Sequence, residues 1–259
     1  MSRLKTLFER KPRNLLSVYY TAGYPGLEDT VPLALWLEEA GADLVEIGMP
    51  YSDPLADGPT IQASSTAALK NGMSLPLLFK QIRRLRPQTR LPLVLMGYFN
   101  QVMQFGEERF VQTCVECGID GVILPDLPLD EYERHYRRLF EDAPLPISFL
   151  ITPQTPEPRI RKVEELSSGF IYMVSNAAIT GARDTLSPRQ IAYFERIAAL
   201  NLQRPRLIGF GISNRQTFQT ACRYANGAII GSAFIKALQP QPKLKESVFA
   251  FIRTIADDR

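Results

Sequence analysis

The chain has few of the residues that build redox and metal centres. Its 259 residues include only three cysteines and one histidine, His135. Cys114 and Cys117 form a C-x-x-C at the end of an apparent helix, but the sequence offers no second pair of ligands. We therefore expect neutral, buried thiols, with no metal site.

Long apolar runs and strong charge of one sign are also missing. No run approaches the roughly 18 residues that a membrane span needs. The first 14 residues lack the apolar core of a signal peptide and instead predict a short amphipathic helix with Leu4, Leu7 and Phe8 on one side. We expect a cytoplasmic protein that does not enter a membrane.

The charge balance gives no indication of a nucleic-acid partner. The net charge is +3, and the lysines and arginines are scattered along the chain. The densest groups, "QIRRLRPQTR" and "RHYRR", alternate with apolar residues and are typical of solvated helix faces. A basic partner surface is the less favoured interpretation. With 45% hydrophobic and 22% charged residues, the composition is that of a folded soluble protein.

Apolar, β-rich segments alternate with helical patterns along the whole chain. One helix is "LEDTVPLALWLEEAG", closed by Gly41, and another is "SNRQTFQTACRYANG", where Ser213 and Gln216 suggest a capping box. Near-continuous apolar strands between helices favour a parallel sheet that is covered on its outside. The eight predicted strands cover residues 15–23, 42–50, 91–99, 120–128, 146–153, 169–176, 205–213 and 227–234.

Eight such units in this length favour a closed (β/α)₈ barrel of the α/β class over an open, doubly wound sheet. No linker or change of composition divides the chain, so we predict one barrel domain over residues 1–259. Active sites of such barrels lie in the loops at the carboxyl ends of the strands. The polar and glycine-rich segments that follow each strand are therefore the candidates for a functional site.

A glutamate interrupts the second predicted strand, in "LVEIGMPYSDPLADGPTIQ". Because side chains alternate across a strand, Leu44, Glu46 and Gly48 share one face, and the other face is entirely apolar. The apolar face suits packing against helices, which places Glu46 inside the barrel. A carboxyl group there is expected to have a raised pKa, as a general acid or base requires. The alternative is a structural ion pair.

The loop after this strand holds two aspartates, Asp53 and Asp57, among three prolines. Asp57 follows Glu46 by eleven residues, so the two carboxylates could face one substrate. The spacing alone leaves open that either aspartate only caps the following helix.

Glycine-rich segments follow the last three strands: "ITG" (179–181), "GFGIS" (209–213) and "GSAF" (231–234). Glycines let backbone N–H groups approach an anion, and barrels often bind phosphate with the loops after strands seven and eight. We predict a phosphate site there, although tight turns are the alternative. Other polar candidates, each of which could line a pocket or only pack, are Tyr20, Thr21, Tyr98, Asn100, Asp126 and, within strand six, Tyr172.

The segment "VEIGMPYSDPLADGPTIQ" resembles the signature of the tryptophan synthase alpha chain family. The resemblance extends to "TAGYPG" after strand one, "YFN" after strand three, "DLP" after strand four and "TGAR" after strand six, and then to "GFGIS" and "GSAF". It implies a (β/α)₈ barrel with an extra N-terminal helix. It also implies cleavage of indole-3-glycerol phosphate to indole and glyceraldehyde 3-phosphate.

The resemblance implies roles for individual residues. Glu46 would be the acid/base that protonates C3 of the indole ring, and Asp57 would accept a hydrogen bond from the indole N–H. Tyr172 would line the pocket, and the phosphate would be held by Thr180, Gly181, Gly211, Gly231 and Ser232.

The resemblance further implies a partner, the beta chain, in an αββα complex. That chain carries pyridoxal phosphate and receives the indole, so no cofactor is expected in the present chain. One segment departs from the family: "SNAAITG" (175–181) replaces a pattern like "SRSGVTG". Alanine at 178 resists a backbone conformation that glycine permits, so closure of this loop over substrate is expected to differ.

Two other functions are compatible with a barrel of this kind. One is a non-catalytic subunit that only binds and activates the beta chain, but such a subunit would be free to lose Glu46 and Asp57. The other is an isomerase or aldolase of another sugar phosphate, which would need a different acid/base pair.

Overall fold

The strands of the computed structural model form one parallel sheet. The structure describes residues 2–54, 57–175 and 185–256, and the description below refers to these ranges. The strands are β1 (Leu15–Thr21), β2 (Leu44–Gly48), β3 (Leu93–Met96), β4 (Gly121–Ile123), β5 (Ile147–Ser148), β6 (Leu150–Ile151), β7 (Ile171–Val174), β8 (Arg206–Gly209) and β9 (Gly227–Ile230).

The sheet closes on itself as a barrel. Its strand order is β5-β4-β3-β2-β1-β9-β8-β7-β6, and each neighbouring pair is parallel. The two strands at the ends of this order, β5 and β6, are separated in the chain by Phe149 alone, so the chain itself completes the ring. The prediction of a (β/α)₈ barrel is confirmed.

The fifth predicted strand, 146–153, is broken in two, which the sequence did not indicate. The Phe149 N–H donates to Ser167 Oγ (3.3 Å) instead of to a neighbouring strand, while its carbonyl accepts from the Tyr172 N–H (2.9 Å). The side-chain hydroxyl thus replaces one ladder hydrogen bond. The other strands lie within the predicted segments and are shorter, because the polar residues at their ends belong to loops.

Helices surround the barrel. They are α1 (Arg3–Arg10), α2 (Thr30–Glu39), α3 (Pro59–Lys70), α4 (Leu75–Leu85), α5 (Phe99–Phe105), α6 (Glu107–Cys117), α7 (Leu129–Glu131), α8 (Arg137–Asp142), α9 (Glu157–Leu166), α10 (Pro188–Ala199), α11 (Arg215–Cys222), α12 (Ser232–Ala237) and α13 (Leu244–Ile255). A 3₁₀ turn spans Arg86–Gln88, and a π-helical segment, Tyr132–Tyr136, joins α7 to α8.

Two predicted helix ends can be compared with the structure. Gly41 closes α2 with a positive φ of 98°, as predicted, and the Ala42 N–H donates to the Leu37 carbonyl at 2.9 Å. The capping box of α11 was predicted one residue too early, at Ser213. Asn214 is the N-cap, and its side chain accepts from the Thr217 N–H at 2.9 Å.

The core divides into two clusters by the alternation of side chains along each strand. Leu16, Val18 and Tyr20 of β1 point outward and pack under the helices, whereas Leu15 and Tyr19 point into the barrel. The predicted N-terminal helix α1 is present, and its buried face of Leu4, Leu7 and Phe8 belongs to the inner cluster. The helix α1 thus covers the amino-terminal end of the barrel and leaves the opposite end for a site.

The three cysteines are buried and free of disulfides, and burial raises the pKa of the Cys114 thiol well above its usual value. Across the described ranges, no cluster of three or more potential metal ligands occurs. Nor does any helix within them have the length and apolar character that crossing a membrane would require.

Candidate active site

Glu46 lies inside the barrel, as the alternation of β2 predicts. Its neighbours Val45 and Ile47 belong to the outer cluster, and Glu46 itself is 0% exposed. The Ser17 hydroxyl donates to Glu46 Oε1 at 2.8 Å, while Oε2 has no hydrogen-bond partner among the residues that the structure describes. Burial raises the pKa of Glu46 to about 8, although the Ser17 hydrogen bond acts in the opposite direction. The side chain is therefore a protonated acid at neutral pH.

Asp57 lies in the loop between β2 and α3 and is also largely buried, with 8% exposed. The Tyr98 hydroxyl donates to its Oδ2 at 3.1 Å. Burial raises the pKa of Asp57, and the hydrogen bond from Tyr98 lowers it in part. The N-cap of α3 is Gly58, without a side-chain hydrogen bond, so Asp57 does not cap the helix.

The other aspartate of this loop is in a different environment. Asp53 is exposed and accepts a hydrogen bond from its neighbour Ser52 (2.5 Å). Within the described parts of the chain, no lysine or arginine forms an ion pair with Glu46 or Asp57. The alternative interpretation, that Glu46 belongs to a structural ion pair, is therefore wrong as far as the described residues are concerned.

Two tyrosines lie beside the carboxylates. The ring of Tyr19 covers Gly48, where a Cβ atom would overlap the tyrosine hydroxyl, and the ring of Tyr172 covers Gly209 in the same way. Burial, and then the negative charge of Asp57, raises the pKa of Tyr19. Burial followed by the charges of Glu46 and Asp57 raises the pKa of Tyr172. Both hydroxyls thus stay neutral and able to donate hydrogen bonds.

A small pocket opens at the carboxyl ends of the first four strands. Its lining is Tyr19, Met49, Asp57, Met96, Gly97, Tyr98 and Pro125. Tyr51 stacks on Tyr98 with ring centroids 5.1 Å apart, and Asn100 Nδ2 donates to the Tyr51 hydroxyl at 2.7 Å. These contacts hold the tyrosine that bonds to Asp57.

The segments predicted to bind phosphate follow neighbouring strands. Gly211 follows β8, and Gly231 and Ser232 follow β9, which pairs with β8. Gly211 has a φ of 76°, and Phe210 before it has a φ of 64°, so the chain turns tightly here. The Ser175 hydroxyl donates to the Phe210 carbonyl and so ties this turn to the end of β7. Thr180, Gly181 and Asn176–Ala178 lie outside the described residues.

The remaining strand-end candidates serve the scaffold. Tyr20 points outward and donates to the Thr30 carbonyl at 2.9 Å, and Thr21 is hydrogen-bonded to Ser64 (2.7 Å). Asp126 accepts from the Phe99 N–H at 2.8 Å, at the start of α5. Of the two alternatives for Tyr20, packing is the one that the structure shows, since the side chain lies on the outer face of β1.

Sequence reasoning missed Ser17 and Tyr19, which share the inner face of β1 with Thr21. The signal was present as S-x-Y-x-T (residues 17–21) in an otherwise apolar strand. It was hidden because every residue of β1 is buried, so neither face stands out as exposed. Phe210 was also missed, although its ring lies 6.1 Å from that of Tyr172.

Comparison with known proteins gives the family of the chain. Residues 5–257 match the family model described as tryptophan synthase alpha chain. The alpha chain of Flavobacterium johnsoniae is 55% identical over 229 residues, which cover 88% of this chain and 90% of that protein. The alpha chain of Bacteroides fragilis is 49% identical over 248 residues, covering 96% and 94%.

The similarity extends to solved structures. A chain of the tryptophan synthase complex from Pyrococcus furiosus superimposes with a TM-score of 0.86 at 29% identity, covering 95% of this chain and 98% of that one. The family match over nearly the whole length, the relatives near 50% identity and the shared barrel all agree. The chain belongs to the tryptophan synthase alpha chain family.

Proposed function

We propose that this chain cleaves indole-3-glycerol phosphate to indole and glyceraldehyde 3-phosphate, with Glu46 and Asp57 as its catalytic residues. The reaction is that of the family to which the chain belongs. The observation that carries the residue assignment is a pair of buried carboxyl groups with no ion-pair partner among the described residues. Asp57 lines the pocket, and Glu46 is the register partner of Tyr19, which lines it too. Isolated buried carboxyl groups are costly to the fold, so their use in chemistry accounts for their presence.

The two carboxyl groups suit different steps because their surroundings differ. Glu46, with a pKa of about 8, holds a proton at neutral pH and can deliver it to C3 of the indole ring. Burial raises the pKa of Asp57, but the hydrogen bond that it accepts from Tyr98 acts in the opposite direction and favours the ionised form. In that form it accepts a hydrogen bond from the indole N–H and stabilises the positively charged ring that protonation creates.

The bond cleavage then balances without a cofactor. Protonation of C3 makes the ring an electron sink, and the bond between C3 and the glycerol carbon breaks towards it. The hydroxyl on that glycerol carbon loses its proton and becomes the aldehyde of glyceraldehyde 3-phosphate. The carboxylate that Glu46 has become is the base available to accept this proton, which returns the residue to its starting state.

The substrate phosphate is assigned to the turns after β8 and β9. Gly211, Gly231 and Ser232 would bring backbone N–H groups to the anion, together with Thr180 and Gly181. The tight turn at Phe210 and Gly211 supports this assignment, because it exposes backbone at the mouth of the barrel. Tyr172 would border the same space.

The proposal includes a beta chain as partner. Family membership supports an assembly of two alpha and two beta chains in the cytoplasm, with pyridoxal phosphate in the beta chain and indole passed to it. The departures at Asn176 and Ala178 are expected to alter closure of their loop, and with it the response to the partner.

The test is an assay of indole release from indole-3-glycerol phosphate, with and without the beta chain. Glu46→Gln should lower kcat by about 100- to 10,000-fold, and Asp57→Asn by about 100-fold or more, because each removes a charge or proton used in the transition state. Asp53→Asn is the matched control, since it changes an exposed carboxylate of the same loop and should retain activity in the isolated chain.

Cleavage that survives Glu46→Gln would overturn the assignment of the acid. A wild-type chain that binds the beta chain but cleaves nothing, alone or in the complex, would overturn the lyase proposal and favour an activating subunit.

A further inference from the structure

Ser17 is a small polar residue among the largely apolar side chains inside the barrel. It lies on the inner face of β1, is 0% exposed, and pairs in register with Leu44 of β2. The register partner of Glu46 is Tyr19, two residues further along β1. Ser17 and Glu46 are thus diagonal neighbours, within reach of each other across the adjacent strands β1 and β2.

In the part of the chain that the structure describes, the hydroxyl of Ser17 has one hydrogen-bond partner, Glu46 Oε1, at 2.8 Å. This distance is ordinary for an O–H donor and an oxygen acceptor. The second oxygen, Oε2, is buried and has no partner within the described residues. The two oxygens of one carboxyl group therefore differ: one is fixed by a donor, and the other is unpaired.

This asymmetry affects where a proton can reside. An oxygen that accepts a hydrogen bond from a hydroxyl is favoured as the carbonyl-like oxygen of a carboxylic acid. The proton of the neutral acid then resides on the other oxygen. The hydrogen bond also fixes the rotation of the carboxyl group, so the proton-bearing oxygen keeps one orientation.

We propose that Ser17 is a positioning residue for Glu46: it fixes Oε1 and thereby makes Oε2 the oxygen that carries and delivers the catalytic proton. The proposal rests on the function proposed above, in which Glu46 is the acid.

The other described side chains around Glu46 do not donate a hydrogen bond to it. The titratable side chains that interact with it electrostatically are Tyr19 from β1 and Tyr172 from β7, and Asp57 acts on both of these tyrosines. From β3, the register partner of Glu46 is the apolar Val94, and α1 contributes apolar side chains to the same inner cluster. In the described part of the barrel, Ser17 is the only hydrogen-bond donor to this carboxyl group.

The experiment compares Ser17→Ala and Ser17→Thr with the wild-type chain in the assay of indole-3-glycerol phosphate cleavage. A donor to the carboxylate lowers its pKa, so removing the donor raises that pKa further. Activity that needs the protonated acid is lost as pH rises through this pKa. Ser17→Ala should therefore move the alkaline limb of the kcat profile upward by about one pH unit.

Ser17→Ala should also lower kcat near neutral pH by about tenfold, with KM nearly unchanged. The reason is that Glu46 is then a weaker acid and its carboxyl group is less well oriented. Ser17→Thr keeps a hydroxyl on a strand-compatible side chain and should return both the limb and kcat towards wild type. Ser148→Ala is the matched control. It removes a buried serine of β5 that accepts from the Phe170 N–H (3.0 Å), and should lower stability without moving the pH profile.

A direct titration separates this proposal from the proposed function. NMR of chains carrying ¹³C-labelled glutamate, with Glu46→Gln to assign the signal, gives the pKa of Glu46 without substrate. An unshifted pKa and pH profile in folded Ser17→Ala would overturn the role of Ser17, even if Glu46→Gln is inactive. A wild-type chain without cleavage activity would instead overturn the proposed function.

Discussion

Buried carboxyl groups at the two ends of the barrel differ in whether a cation is paired with them. At the amino-terminal end, Asp120 precedes β4 and is 6% exposed. Arg3 of α1 donates to its Oδ1 (3.2 Å), while Arg86 (3.1 Å) and the Leu93 N–H (2.9 Å) donate to its Oδ2. Both oxygens are thus paired, and two cations balance the charge.

At the carboxyl end, a buried carboxyl group has no compensating cation among the described residues. Within the described ranges, Glu46 has one neutral donor and one unpaired oxygen, and burial raises its pKa to about 8. The comparison shows that burial alone does not identify a reactive carboxyl group. Among the described residues, the missing cation distinguishes Glu46 from Asp120, because no paired charge offsets the burial that favours the protonated form of Glu46.

The strongest way to break the comparison is to remove the structural carboxylate. Asp120→Ala should lower the free energy of unfolding by about 3 to 5 kcal/mol, because Arg86, with only 11% of its side chain exposed, keeps a buried charge without its partner. Urea unfolding measures this change.

Glu28→Ala is the control for that variant. It breaks a pair with Arg84 whose side chains are 65% and 60% exposed, and should cost less than about 1 kcal/mol. Equal losses in the two variants would show that the network around Asp120 does not hold the closed end together.

The second prediction concerns Glu46, whose replacement should raise the free energy of unfolding, whereas Asp120→Ala should lower it. The folded chain keeps the proton of Glu46 up to a pKa of about 8, whereas the unfolded chain releases it near 4.5. The folded state binds more protons in this window, so its stability falls as pH rises from about 4.5 to 8. Glu46→Gln should remove this loss and be more stable than wild type by about 2 kcal/mol or more at about pH 8.

Urea unfolding at about pH 5 and about pH 8 tests this second prediction. The advantage of the glutamine variant should grow between the two conditions, and Asp53→Asn should show no such growth. A constant difference between wild type and Glu46→Gln would mean that Glu46 is ionised in the folded chain.

The third and smallest effect concerns the neighbouring carboxyl group. Tyr98→Phe removes the donor to Asp57 Oδ2 and should raise the pKa of Asp57 further. If the ionised form of Asp57 is needed, the acidic limb of the kcat/KM profile moves to higher pH, with a loss of activity of about five- to tenfold.

Tyr51→Phe is the matched control for Tyr98→Phe. Its ring stacks on Tyr98, while its hydroxyl accepts from Asn100 and does not touch Asp57. A shift of the acidic limb in this control as large as that in Tyr98→Phe would mean that packing, and not the hydrogen bond, is responsible.

The sequence predicted the barrel and the place of Glu46 for the same physical reason. Strands of a closed parallel sheet are apolar on both faces, so the one charged residue of β2 stands out and its face is fixed by alternation. Where polar residues are uncharged, as Ser17 and Tyr19 are, the same pattern gives no such contrast.

Other features depend on contacts between distant segments. The break at Phe149 depends on the hydroxyl of Ser167, which is 18 residues further along the chain. The hydrogen bond between Ser17 and Glu46 depends on the register of β1 against β2. None of these contacts has a local pattern from which it could be predicted. The single domain over 1–259 and the phosphate site stay predictions.

The tyrosine rings over Gly48 and Gly209 have a consequence for how this protein could acquire a new specificity. Neither glycine has a side chain that could touch a ligand, yet each provides the space in which a tyrosine lies. A methyl group at either position would displace that ring from its seat beside the two carboxyl groups. Engineering that varies only ligand-contacting side chains would therefore leave out the two positions that seat these rings.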